Sequence, residues 1–514
     1  MLSLDVRSAK VLRRASDIVR CASCARSYTF SVNPLTHAER QALGRHARKQ
    51  LARRAHADFK SEMCPANPLA ILAESMRGRV ARLIPIKYQR MAASPFGFFR
   101  GAVPIMAADL SCHPNTGLVT QLCGDAHVEN LGAYASLDNR IVFDLNDFDE
   151  TIRGPFEWDI KRLATSVVLA GRQAGIGRAD REEAVSTFLR RYRRSMRRFS
   201  NMPVLELARY QIHRLAHIGP MPAIFGQAER STPLRLLAKL TEPIDGNGAK
   251  GAAKKTAATK IAAKKMSAAA AKKAGNTSGP APEHVSSRPR CFRSLPPLLE
   301  RVAGADARKV LAALGQYTKT LQPERQHFLA QYTPVDVAFK VVGTGSVGLR
   351  DYIVYLEGHA RPAHSDPLFI QIKEEPASAY ARYIPEGAAG WIQQGHRVVD
   401  GQRAMQLTSD PFLGYTSIDN RDYLVRQLND HKAALDLKTL SAANLHGYAD
   451  LCGELLARGH ARAGDPVSIS AYVGTSTRFD EGILGFAHLY ADKTEADWKA
   501  LCGWLKRNSE AAAS

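Results

Sequence analysis

The chain has 514 residues, 71 Lys+Arg against 49 Asp+Glu, and a formal net charge of +22. Its 45% hydrophobic content suits a globular protein with room for two or three cores, and no run of about 18 apolar residues predicts a membrane span. Eight cysteines are too sparse for a disulfide scaffold and fit a reducing cytoplasm. The charge is uneven: residues 1–100 contribute +13, residues 246–287 contribute +7, and the other 372 residues sum to only +2. The basicity therefore argues for nucleic-acid contact only in those two segments.

Residues 1–35, Arg- and Ser-containing with few acids, read as a mobile tail loosely like a transit peptide. Cys21 and Cys24 form a lone CxxC with no second pair at zinc-site spacing. From Leu35 to Lys60 the pattern predicts a basic amphipathic helix, with Thr36 as N-cap and Glu39 three residues on. Residues 36–245 are expected to form a helical region plus the half carrying a catalytic loop, with long Arg-rich helices over 180–218. Residues 246–289 read as a disordered Lys/Ala-rich linker, because the segment has no aromatic residue and too few aliphatics to offset its ordering entropy. Its lysines suit weak polyanion binding by residues 246–287 through counterion release. A helical connection (290–335), a small β-rich lobe (336–430) and a C-terminal helical region (431–514) follow.

The densest polar cluster runs from Thr120 to Asn130 and continues at Ile141–Glu150. A short strand ends in a turn at Gly124, and Asn139-Arg140 turns into a strand delivering Asp144. Asp125, His127, Asn130 and Asp144 are thereby expected in one cleft. A carboxylate can take a proton from an attacking hydroxyl, and the amide and second carboxylate are hard oxygen ligands for Mg²⁺. The alternative is turn and capping chemistry, which Asp and Asn also favour.

The second half holds Gly343-Thr-Gly345-Ser346-Val-Gly348. It fails as a P-loop, since Leu349-Arg350 stands where Lys-Ser/Thr is required. It fails as a dinucleotide fingerprint, since the β-branched and aromatic Tyr352-Ile-Val-Tyr follows in place of a helix. Strand, Gly loop, strand remains, as in a kinase's nucleotide-covering loop. That reading demands a lysine on the next strand, and Leu368-Phe-Ile-Gln-Ile-Lys373 supplies one; a solvated strand-end lysine is the alternative. Glu374, Glu375 and Glu386 are the nearby acids, and the sequence selects none of them as its partner.

Gly124-Asp125-Ala-His127-Val-Glu-Asn130 resembles the HGDxHxxN loop of aminoglycoside and choline phosphotransferases, a branch of the protein-kinase-like fold, with Cys123 in place of the first His. Gly154-Pro-Phe-Glu-Trp-Asp159 is similar to that group's helix entry. The resemblance implies Asp125 as catalytic base, Asn130 and Asp144 as Mg²⁺ ligands, and Asp159 as a brace for the loop. Asp147 and Asp149 leave the choice of metal ligand open, since NDFD also resembles the kinase D-F-G region. From about Thr36 to Leu505 the chain also resembles a bacterial family called domain of unknown function 2252. The stretches that carry this are Arg90-Met-x3-Pro95-Phe-Gly-Phe-Phe-Arg100-Gly101, Cys123-Gly-Asp-Ala-His127, Phe143-Asp-Leu-Asn-Asp-Phe-Asp-Glu150, Gly154-Pro-Phe-Glu-Trp-Asp159, Gly395–Arg403 and Ala457–Asp465.

The fold expected is α+β, a protein-kinase-like two-lobed architecture with extra helices, circularly permuted because the catalytic loop precedes the Gly loop. The function expected is Mg²⁺- and ATP-dependent phosphoryl transfer to a small-molecule hydroxyl acceptor. The catalytic residues are Asp125 and His127; Gly343, Gly345, Ser346, Gly348 and Lys373 hold nucleotide; Asn130, Asp144 and Asp147 hold metal. Nucleotidyl transfer uses the same parts. The rival readings are a metal-dependent hydrolase without ATP and a noncatalytic polyanion-binding protein. Arg100, Arg397 and Arg403 are candidates for phosphate contacts or for salt bridges; His460 and Asp465 suit catalysis or helix capping.

Overall fold

A computed structural model describes residues 34–511 apart from 61–62, 64–66, 137–139, 213–214, 216–217, 245–287, 363, 389 and 429–432. Cys21, Cys24, Asn139 and residues 246–287, expected to bind polyanions, lie outside the described residues. At the start, Glu39 N–H donates to Thr36 Oγ1 and Thr36 N–H to the Glu39 carboxylate at 2.8 Å, so the expected capping box opens the His37–Gln50 helix. The helix stops at Gln50, short of Lys60, and a 3₁₀ turn over Arg53–Ala57 follows.

The chain is a mixed α+β structure with antiparallel pairing throughout its named strands. Two short ladders precede residue 160. β1 (Val119–Leu122) pairs with β4 (Ile152–Pro155), and β2 (Leu131–Ala135) pairs with β3 (Ile141–Leu145). Next, β5 (Thr241–Pro243) pairs with β6 (Arg290–Phe292), with Pro243 opposite Arg290. Residues 241–243 and 290–292, which flank the 246–289 segment, therefore meet at one ladder.

A six-stranded sheet follows, built from β7 (Leu299–Val302), β8 (Thr333–Lys340), β9 (Asp351–Glu357), β10 (Pro367–Glu374), β11 (Gly414–Ile418) and β12 (Arg421–Gln427). Its order is β11-β12-β10-β9-β8-β7. Period-two alternation sends Val354, Leu356, Ile370 and Ile372 to one face, against Val310 and Tyr317 of the Gly304–Thr318 helix. Ile353, Tyr355 and Phe369 go to the other face, against Leu236, Leu237 and Leu240 of the Pro233–Leu240 helix. The central strand β10 is buried along its whole length, including Lys373. Burial at this depth is worth roughly 2 kcal/mol for each apolar side chain.

The chain then returns to the first half: β13 (Ala433–Ala434) adds to β2. Helices Glu157–Gln173, Arg178–Phe199, Ala442–Ala463 and Arg478–Ala511 share one apolar core that includes Leu163, Val167, Phe188, Tyr192, Leu455 and Phe486. Among the described residues, no helix is long and apolar enough to cross a membrane.

Candidate functional site

Gly124 makes the turn after β1. Its φ is +82°, and a Cβ there would stand 2.1 Å from the Glu150 carbonyl, so only glycine allows the two loops to approach. Asp159, entirely buried at the start of the Glu157–Gln173 helix, accepts the N–H groups of Cys123 (2.8 Å) and Gly124 (3.0 Å). Its Oδ2 lies 3.3 Å from His460 Nε2, and His460 Nδ1 lies 2.9 Å from the Tyr192 hydroxyl. Asp159 thus braces the loop, and His460 braces Asp159. Asp465 caps the Pro466–Val473 helix by accepting from Val467 N–H at 3.0 Å.

One helical turn beyond Asp159, Arg162 reaches the same loop. Its Nε donates to Asp125 Oδ1 at 2.6 Å, its Nη2 donates to the Phe99 carbonyl at 3.1 Å, and its guanidinium lies 4.2 Å over the Phe99 ring. Burial raises the Asp125 carboxyl to about 6; Arg162 opposes the rise and Asp147 adds to it. Asn130 Nδ2 donates to the Asp125 carbonyl at 2.7 Å and closes the loop on itself. His127 Nδ1 accepts from Glu129 N–H at 3.2 Å, so the neutral ring carries its proton on Nε2, which is 3.9 Å from Asp125 Oδ2. Burial first, then Arg100 and Arg162, push His127 well below the usual imidazole range. His127 therefore shapes the loop and is too far from Asp125 for a hydrogen bond.

A single cleft is lined by Asp125, His127, Asn130, Asp147, Asp149 and Glu150 on one side and by Gly343, Thr344, Gly345 and Ser346 on another. Three predicted residues, Asp144, Gly348 and Lys373, lie outside this lining. Asp144 is buried in β3, ion-paired with Arg458 and accepting from Leu145 N–H at 2.8 Å, so it holds the β3 end against the Ala442–Ala463 helix. Asp147, beyond the end of β3, faces the cleft. Gly348, with φ +89°, passes Arg79 on its way out of the loop.

Lys373 lies behind the cleft wall, its ammonium in an ion pair with Asp149 Oδ2 and 4.0 Å from Glu375 Oε1. Burial opposes its charge, yet Asp149, Asp147 and Glu375 hold it above the ordinary lysine range. Asp149 Oδ1 and both Glu375 oxygens are buried without a hydrogen-bond partner among the described residues. Arg397 is fully buried and donates to the carbonyls of Thr151 (2.5 Å), Asp149 (2.8 Å) and Pro376 (3.0 Å), so it braces backbone and is not placed to bind phosphate. Arg403 donates to the Leu413 carbonyl at 2.8 Å, and Arg100 pairs with Glu129 at 2.5 Å.

Sequence reasoning missed Arg162, the Asp149 partner of Lys373, and the cleft cations Arg79 and Lys87. The signal for Arg162 was its spacing of three from Asp159 on a helix; the other pairings join segments with no spacing relation. Among the described residues, no group of three or more His, Cys, Asp or Glu stands ready to hold a metal. Asn130, Asp147 and Asp149 supply hard oxygens, with one Asp149 oxygen orphaned, which suits a cation that takes one or two carboxylates and completes its shell with phosphates and water.

No curated protein and no solved structure matches the chain. A family profile described as an uncharacterized protein conserved in bacteria matches residues 79–503, and the chain belongs to that family, DUF2252.

Proposed function

We propose that the protein is a Mg²⁺- and ATP-dependent phosphotransferase, built on a circularly permuted kinase-like fold and acting on a small-molecule hydroxyl acceptor. One observation carries this reading. The Asp125, Asn130 and Asp147 group and the Gly343–Ser346 loop, about two hundred residues apart, line the same cleft, and Lys373 is paired to its Asp149 wall. The strand order supports it too, since the Gly loop joins β8 to β9 and the lysine stands on the next strand, β10.

In this reading Asp125, held by Arg162, orients the acceptor hydroxyl and takes its proton. Lys373 exchanges Asp149 for the nucleotide's phosphates, and the Gly loop covers them. Asn130, Asp147 and Asp149 would hold Mg²⁺, which supplies neutralisation of phosphate charge when bound.

The test is ³¹P NMR of Mg-ATP incubated with the protein and a panel of small alcohols and amino alcohols. The expected products are ADP and a new phosphomonoester, both lost in Asp125→Asn. Inorganic phosphate as the only product with every acceptor indicates a hydrolase, a phosphodiester indicates nucleotidyl transfer, and no ATP consumption at all removes the reading.

A further inference from the structure

The motif from Arg90 to Gly101 takes no part in the transfer just described, yet it and the residues before it touch both loops of the cleft. From the Ile84–Ala92 helix, buried Lys87 donates to the Gly345 carbonyl at 2.6 Å and Arg90 donates to the Val342 carbonyl at 2.5 Å. Just upstream, Arg79 donates to the Val347 carbonyl at 2.7 Å and Val80 N–H donates to the Gly348 carbonyl at 2.7 Å. Four carbonyls of one short loop are fixed by one segment remote in sequence. Among the described residues, the N–H groups of Gly343, Thr344 and Gly345 have no backbone acceptor. Engaged carbonyls beside available N–H groups are what an anion-accepting loop requires.

The other end of the same stretch holds the Asp125 loop. Arg100 pairs with Glu129, and the Phe99 carbonyl takes the Arg162 guanidinium that grips Asp125. Arg79, Lys87, Arg100 and Gly101 line the cleft between the two loops. Lys87 has no carboxylate within ion-pair distance among the described residues, and burial, then Arg79, push its ammonium well below the ordinary lysine range. Burying a cation on a single carbonyl is costly, and an anion in the cleft is its natural complement.

We propose that residues 79–101 form a strap across the cleft that sets the Gly343–Gly348 loop against Asp125, with Lys87 and Arg90 as positioning residues for a phosphate chain. The phosphate part rests on the phosphotransferase reading; the strap itself does not.

The experiment pairs hydrogen exchange of the ligand-free protein with calorimetric titration of Mg-ATP, for wild type, Lys87→Met, Arg90→Gln and the control Arg54→Ala, which removes only an exposed pair with Glu481. Arg90→Gln keeps the test open if Lys87→Met fails to fold. Expected are exchange at the Val80 and Leu349 amides, which donate to the Gly348 and Ser346 carbonyls, faster by about tenfold or more in the two strap variants and Mg-ATP binding weaker by about tenfold, with Arg54→Ala like wild type. Unchanged exchange at these amides in both strap variants overturns the proposal even if wild type binds nucleotide. Faster exchange in a protein whose wild type binds no Mg-ATP supports the strap and overturns the phosphotransferase reading instead.

Discussion

At the scale of single residues, Asp125 is the group whose surroundings are most specific. Its carboxyl is raised to about 6 by burial, and it must be ionised to accept a proton. Mg-ATP turnover, with water as the default acceptor, should therefore rise with pH through about 6 and level off above it. Asp125→Asn should lose roughly two to four orders of magnitude of that turnover and the pH limb with it. A wild-type profile flat from pH 5 to 8 would separate the raised carboxyl from the chemistry. Asp125 was legible in the sequence because Gly124, His127 and Asn130 surround it at short range. The pairing of Lys373 with Asp149 was not, because ion pairs between distant segments leave no periodicity. The ion pair of Asp144 with Arg458, 314 residues further on, was illegible for the same reason.

At the scale of elements, the turn at Gly124 and the helix start at Asp159 act as one unit. Gly124→Ala introduces a strained φ and a contact with the Glu150 backbone, so it should destabilise the protein by about 2 kcal/mol or more in chemical denaturation. A change below about 0.5 kcal/mol would show that the two loops can part at little cost. The strands of the six-stranded sheet were readable because Tyr352–Tyr355 and Leu368–Lys373 show β-rich runs between turn signals. The end of the first helix was not, since the basic face continues past Gln50 while Leu51 turns into extended backbone.

At the scale of the whole molecule, the chain passes from helical half to sheet and back, and β13 seals the return by pairing with β2. The insert's flanks meet at the β5–β6 ladder, so replacing residues 246–287 by a short turn should leave the melting temperature and Mg-ATP affinity unchanged. The same deletion should weaken binding to heparin or DNA by about tenfold or more at low salt, because it removes eight lysines. Loss of folding on deletion would mean that the insert contributes to the core. The net charge of +22 is thereby separated from the cleft, whose lining carries more acids than bases.

The central claim is that one nucleotide touches both halves of the cleft. Calorimetric titration of Mg-ATP into wild type, Lys373→Ala and Asp147→Ala tests it most directly. The account predicts saturable one-site binding by wild type, abolished by chelating Mg²⁺ and weakened by about tenfold or more in each variant. Absence of binding at millimolar Mg-ATP, or binding that neither substitution alters, would contradict it.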